Sequence, residues 1–369
     1  MIHLDHAATS FPKPAAVLAA MRRWFDEVGV SADRGDGERC LLARREVDAT
    51  RGRVAALCGV PAHRVAFTSG ATEALNLVLR ALLRPGDTVL TTAFEHSSVV
   101  RPLVALRGER RLRLEVLPPA ADGGLPVDAF AAALATHRPR LAVFTHASNV
   151  TGAGLDAAAF CDRARRAGCT TVLDASQTAG LLDLRVGADV VVASGHKALH
   201  GPPGIGFVAA RDGLELPPQK QGGTGSSRAL DEHPTTWPQA FEAGTPNTPA
   251  IFGLGAALAW VQQQSPAALL AQSLRHVDAL ATGLAARPGV RLLLPPRERR
   301  VPVLSLVHEH YDPSELGALF AAAGIQVRTG FHCAPWLHAH LGTERTGTVR
   351  LSPGPQLTAA DLAAVLAAC

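Results

Sequence analysis

The chain has 369 residues, 47% of them apolar and 18% charged, which excludes a disordered protein and allows one large core with a second, smaller one. Lys and Arg outnumber Asp and Glu by 36 to 32, and this net charge of +4 is scattered through segments such as RRWF and DRARRAG, which argues against nucleic acid as the main partner. No apolar run approaches the roughly 18 residues of a membrane span, MIHLDHAATSFPKP lacks the pattern of a secretory leader, and six cysteines with no Cys-x-x-Cys pair favour a reducing, cytoplasmic setting over a disulfide framework.

From about residue 64, β-branched runs alternate with helical patterns. RVAFTS precedes TEALNLVLRALL, DTVLTT precedes SSVVRPLVAL, and RLRLEVLP precedes PVDAFAAALA. RLAVFTH, a helix through DAAAFCDRARRAG, TTVLDA, DVVVAS and GIGFVAA follow. Strands alternating with crossover-length helices predict a mostly parallel sheet covered on both faces. Beyond about residue 250 the pattern changes to a helix in IFGLGAALAWVQQ, a strand in VPVLSLV, a helix in PSELGALFAAAG, a loop near Cys333, a strand in GTVRLS and a last helix. We expect a large α/β domain over residues 14–250 and a smaller α+β domain made of residues 1–13 and 251–369. The sequence shows no internal repeat.

Ligands on parallel sheets bind at the carboxyl ends of the strands, and the informative residues stand there. Lys197 follows the run VVVAS in Ser194-Gly195-His196-Lys197, flanked by Gly201, Gly204 and Gly206. It reads either as a surface lysine or as an amine nucleophile that forms Schiff bases. Gly70, Ala71, Thr72 and Glu73 open a helix after a strand, which serves capping or a phosphate. Asp174 ends TTVLD and is an N-cap or a carboxylate that keeps a ring nitrogen protonated, with Gln177 three residues on. His96 and Asn149 follow two further strands, where the first could stack on a flat ring and the second could donate to a ring hydroxyl or simply make a turn. A lysine Schiff base with an acid for a pyridinium nitrogen is what pyridoxal 5'-phosphate requires.

LDHAATSFPKP, TSGATEALN, EHSSV, HASNVTG, DASQTAG, SGHKALHGPPGIGF, GGTGS, FEAGTPNTPAIFGL and RTGFHCAP, in this order, resemble the cysteine desulfurase and selenocysteine lyase family, a class-V aminotransferase branch of pyridoxal-phosphate fold type I. The resemblance implies a mostly parallel seven-stranded sheet in the large domain, with Cys333 and Arg350 in the smaller one. It makes Lys197 the Schiff-base lysine and puts Ser194, His196, Thr72 and the backbone of Ala71 on the cofactor phosphate. His96 would stack on the ring, Asp174 would pair with the ring nitrogen, Gln177 would contact the phenolic oxygen, and Asn149 would face the substrate. Thr245, in AGTPNT, would reach the phosphate of a partner subunit's cofactor, so a homodimer with shared active sites follows.

Cys333 stands five residues after Arg328 in a loop with His332, and reads as a buried structural thiol or as a thiolate favoured by the nearby Arg and His. By resemblance it takes sulfur from cysteine as a persulfide and passes it to an acceptor, while Arg350 grips the substrate carboxylate. Two rivals remain: a C–S β-lyase acting on an S-substituted cysteine without Cys333, and a non-catalytic sulfur-relay scaffold. The segment SADRGDGERC lacks the family's usual histidines and carries Asp33, Asp36 and Gly37 instead, and Ala71 replaces a hydroxyl residue often found beside Thr72.

Overall fold

A computed structural model describes residues 1–32, 35, 37–225 and 231–368. A two-residue strand, β1 (Ile2–His3), is followed by two helices, α1 (Ala15–Arg23) and α2 (Glu38–Cys58). Neither helix is among the elements expected from the alternation that begins near residue 64. The buried positions of α2 include Ala43, Val47, Thr50, Val54 and Cys58, a helical stripe narrowed by the charged residues around it. Asp33 and Asp36 lie outside the described residues, and Gly37 is the N-cap of α2.

All seven runs read as strands are strands. In chain order they and their crossovers are β2 (Val65–Thr68), α3 (Ala71–Leu82), β3 (Thr88–Thr92), α4 (Ser97–Arg110), β4 (Arg113–Leu117), α5 (Val127–His137), β5 (Leu141–Thr145), α6 (Ala157–Arg166), β6 (Thr170–Asp174), β7 (Val190–Ser194) and β8 (Gly206–Ala210). They form one sheet in the order β2-β8-β7-β6-β5-β3-β4. Every neighbouring pair is parallel except the two that involve β8, which runs against both β7 and β2.

Residues of β5 and β7 are buried at every position, as strands covered on both faces must be. Alternate residues serve opposite layers. Phe144 packs with Phe130 of α5 and Phe160 of α6, whose rings stack 4.2 Å apart, while Val143 joins Leu75 and Leu79 of α3 on the other face. The edge strand β4 has no buried residue and carries Arg113 and Glu115, which discourage pairing with another chain.

Between β7 and β8 the chain makes a compact turn in which Gly195 N–H donates to Ile205 O (2.9 Å) and Gly201 N–H to Gly195 O (2.8 Å). At Gly206 a side chain has no room: a Cβ there would lie 2.6 Å from Gly70 Cα and 2.7 Å from Ala193 O. This close approach sets the start of β8 against the turn that opens α3.

Strands β3 and β5 pair only at Val89 with Leu141 and at Leu90 with Ala142, then separate. Glu95 fills the gap. It is 0% exposed, and its Oε1 accepts from Thr92 Oγ1 (2.6 Å) and from Thr145 N–H (3.0 Å), which replaces the missing ladder across the diverging strand ends. Oε2 has no partner, and burial raises the carboxyl to about 8.

The rest of the chain forms α7 (Thr248–Gln264), α8 (Pro266–Ala285), β9 (Val290–Leu293), β10 (Leu304–His308), α9 (Pro313–Ala322), β11 (Ile325–Gln326), β12 (Arg328–Gly330), α10 (Pro335–Leu341), β13 (Thr348–Leu351) and α11 (Ala359–Ala367). An antiparallel sheet runs β12-β13-β10-β9, and β11 pairs in parallel with β1. Leu280, Leu304, Phe320, Val349 and Val365 form its core, and Leu4 from the start of the chain is buried among them. Residue 251 falls in the first turn of α7, whose Ile251, Phe252, Leu254 and Leu258 share an apolar cluster with Val47 and Val54 of α2. Strands β9 and β12 are short and were not expected from the sequence; β12 carries Arg328, so that residue leads into the Cys333 loop from a strand.

Gly206→Ala is expected to lower stability by about 1–3 kcal/mol in urea unfolding. Gly108→Ala in α4, where a Cβ meets nothing within 4 Å, should cost nothing or gain a few tenths of a kcal/mol. Because the folded-state value of Glu95 is raised from 4.5, its contribution to stability is complete below that value and is lost as pH rises through about 8. Unfolding measured at several pH values should show Glu95→Gln flattening this alkaline loss, and Glu95→Ala destabilising the fold at every pH.

Candidate active site

The parallel topology brings the carboxyl ends of β3, β5, β6 and β7 to one edge of the sheet. Each end delivers a polar group: Glu95 and His96 after β3, Asn149 after β5, Asp174 on β6, and Ser194 with Lys197 on and after β7. Ser194 Oγ accepts from Ala71 N–H at 3.0 Å, so the end of β7 is fastened to the first residue of α3. Gly70 caps α3 without a side chain, and the next amides of the first turn have no intrahelical acceptor.

Burial lowers the pKa of the Lys197 amine. Asp174 opposes this shift, Arg350 and then Arg328 deepen it, and Cys333 opposes it. Five residues singled out in the sequence thus feel one another's charge. No hydrogen bond to Lys197 Nζ forms among the described residues. Asp174 is 4% exposed and its Oδ1 accepts from Ser176 N–H (2.9 Å).

His96 is the N-cap of α4. Its Nδ1 accepts from Ser98 N–H (3.1 Å) and lies 2.8 Å from Ser98 Oγ, which itself sits 2.8 Å from Thr72 Oγ1. Ser98 therefore links Thr72 to His96, a role visible in the sequence only as a polar residue at the start of a helix. Burial and the Lys197 charge hold His96 down to about 4, so the ring is neutral at physiological pH. His196 is also lowered to about 4, first by burial and then by Lys197 and Lys13.

Cys333 is exposed, which removes the reading of a buried structural thiol. Arg328 Nη2 lies 3.6 Å from its Sγ. His332 does not add a positive charge: its ring is buried against Thr348, with Nε2 2.8 Å from Thr348 Oγ1, and burial lowers it to about 2. Both His332 (φ 48°) and Cys333 (φ 59°) take left-handed backbone, a strained state for residues with side chains. The loop is held in it by Asn149 Nδ2, which donates to His332 O (2.5 Å), and by Ser97 N–H, which donates to Cys333 O (2.6 Å). The other described thiols differ: Cys40 is half-buried, Cys58, Cys161 and Cys169 are buried, and burial pushes Cys161 and Cys169 up to about 12.

Arg350 is 1% exposed. Its Nη1 donates to Asn149 O (3.0 Å), its Nη2 to Asp5 Oδ1 (2.5 Å), and its Nε has no partner. Burial works against its charge and Asp5 supports it. Asn149 is thus engaged at both ends, its amide on the Cys333 loop and its carbonyl on Arg350. Gln177 Nε2 donates to Ala7 O (3.0 Å). Thr245 is not brought to Lys197 within this chain; it is exposed, in a cleft with Ser69, Glu73 and Lys220. Asp5, Lys13, Glu95 and Ser98 were not singled out in the sequence, although LDHAATSFPKP and EHSSV contain them.

The model of the family described as Aminotransferase class-V matches residues 2–365. A probable cysteine desulfurase of Pseudomonas putida is 34% identical, over 95% of this chain and 88% of that protein. A cysteine desulfurase of Pectobacterium carotovorum is 33% identical, over 93% of this chain and 86% of its own length. Among solved structures, the apo cysteine desulfurase from Thermococcus onnurineus superposes with a TM-score of 0.93 at 28% identity, covering 99% of this chain and 93% of that one. The Escherichia coli cysteine desulfurase CsdA gives 0.89 at 29% identity, with the same coverage of both chains. The fold is type I of the pyridoxal-phosphate enzymes, and the chain belongs to the class-V aminotransferase family and, within it, to the cysteine desulfurases.

Proposed function

We propose that the chain is a pyridoxal 5'-phosphate-dependent cysteine desulfurase that takes sulfur from L-cysteine, or selenium from selenocysteine, releases L-alanine and leaves the sulfur on Cys333 as a persulfide. The observation that carries this reading is the grouping of a lysine of lowered pKa with Asp174, two arginines and an exposed thiol.

Features of the chain fit the cofactor. The amides at the start of α3 lack acceptors and suit a phosphate, with Thr72, Ser194 and His196 around them. Lys197 has no competing hydrogen bond, and one oxygen of Asp174 is free of the Ser176 bond and can face a ring nitrogen. His96, neutral and pinned by Ser98, would lie on the ring face, and Gln177 beside the phenolic oxygen. When bound, the cofactor supplies an aldehyde for the lysine and an electron sink for a carbon that loses its proton.

The residues then divide the work. Arg350 offers its unpartnered Nε to the substrate carboxylate, in a setting where an unmatched donor is costly. Lys197, whose pKa desolvation lowers, takes the α-proton. The Cys333 thiolate, beside Arg328, accepts the sulfur atom. Cysteine plus the Cys333 thiol gives alanine plus the Cys333 persulfide, so atoms and electrons balance without an outside oxidant. A thiol acceptor must then remove the sulfur. The exposure of Thr245 supports a homodimer in which it reaches the partner's cofactor phosphate. Among the described residues no helix is long and apolar enough to cross a membrane, and with its free thiols we place the protein in the cytoplasm.

Cys333→Ser is expected to reduce alanine release from cysteine by about a hundredfold or more, and mass spectrometry of the wild type should find one extra sulfur on the peptide containing Cys333. If the variant still forms product from cysteine or from S-substituted cysteines, the β-lyase reading wins. In the wild type, alanine release should be slow alone and should accelerate when a thiol acceptor is added; fast turnover without acceptor contradicts the proposal.

A further inference from the structure

The segment of residues 4–13 touches three of the turns that build the site. At one end, Leu4 O accepts from Ser352 N–H (2.7 Å), Ala7 N–H donates to Ser352 Oγ (3.0 Å), and Asp5 holds Arg350. In the middle, Ala7 O accepts from Gln177, in the turn that follows Asp174. At the other end, the carbonyl of His196, which belongs to the peptide bond leading into Lys197, accepts from Ser10 N–H (3.0 Å), Thr9 Oγ1 (3.2 Å), Ser10 Oγ (3.2 Å) and Lys13 Nζ (2.7 Å). Lys13 Nζ also donates to Ser10 Oγ (2.8 Å).

We propose that residues 4–13 act as a strap that holds the Lys197 turn in register with Arg350, and that Lys13 is its positioning residue at the lysine end. Four donors converge on one carbonyl oxygen, more than its two lone pairs accept at full strength. The arrangement is therefore dominated by its shortest and only charged donor, Lys13. The amine is half-buried, and although burial lowers it to about 8 it still carries its charge at neutral pH. Within the turn, Gly195, Lys197, His200 and Gly201 bond mainly to one another, and apart from the contacts to His196 O the side-chain hydrogen bond that reaches the turn among the described residues is Asn247 Nδ2 to Gly204 O (3.2 Å), at its other end. At the far end Asp5 holds the guanidinium through Nη2 and leaves Nε unpartnered. The strap thus sets the separation between the group proposed to bind a carboxylate and the group proposed to take the proton next to it.

The test compares wild type, Lys13→Met, Lys13→Arg and Asp5→Asn by amide hydrogen exchange and by steady-state kinetics. Lys13→Met should raise exchange of the 195–206 turn about tenfold while the central strands stay protected, and Lys13→Arg should restore most of the protection. Asp5→Asn should loosen residues 4–13 and, through them, the same turn. On cysteine, Lys13→Met should lower kcat about tenfold with little change in KM, whereas Asp5→Asn should raise KM. Unchanged exchange at 195–206 in Lys13→Met, or equal loss of protection across the whole sheet in both Lys13 variants, overturns the proposal. The exchange measurement needs no substrate, so it stands or falls separately from the cysteine reading.

Discussion

A covered lysine amine with no hydrogen-bond partner is the constraint to which the rest of the site answers. Water would keep such an amine protonated; removing the water tips it toward the neutral form, and the arginines nearby push the same way. Asp174 alone would undo this by pairing with the ammonium. The balance therefore depends on Asp174 being engaged elsewhere, and its bond to Ser176 N–H begins that engagement. The packing of Gly206 on Gly70 fixes the chain where the turn that carries Lys197 enters β8.

The second constraint lies in the sheet. Pairing between β3 and β5 stops two residues before the end of β3 and three before the end of β5, and a buried carboxyl group, Glu95, bridges the opening. The split separates His96 from Asn149 and leaves room between them. Asn149 then reaches across to the Cys333 loop and carries Arg350 on its carbonyl, so the smaller sheet is anchored at the mouth of the larger. Ser305 Oγ, donating to Val150 O at 2.7 Å, adds a second anchor one residue on.

Much of this was legible in the sequence because the information was local. All seven strands of the large sheet stand out as β-branched runs, and the residues just past them are those the topology gathers. What was not legible depends on contacts distant in sequence. Asp5 meets Arg350 across 345 positions, and Lys13 meets His196 across 183, so neither partner marks the other. Helix α2 was missed for a different reason: its apolar stripe is diluted by charges that reach out to other elements, as Arg51 does to Glu242. The role expected of His332 beside the thiol fails because the ring turns inward to Thr348, a choice made by burial rather than by adjacency.

The distribution of thiols has a consequence for traffic through the molecule. Sulfur in the zero-valent state is promiscuous and will pass to any accessible thiolate. Here Cys58, Cys161 and Cys169 are sealed in apolar layers, where deprotonation is suppressed, and Cys40 is half-buried, while the exposed sulfur of Cys333 stands on a strained loop beside an arginine. The interior thiols are thereby closed to wandering sulfane atoms, and under the proposed function the exposed Cys333 is where an acceptor would meet the cargo.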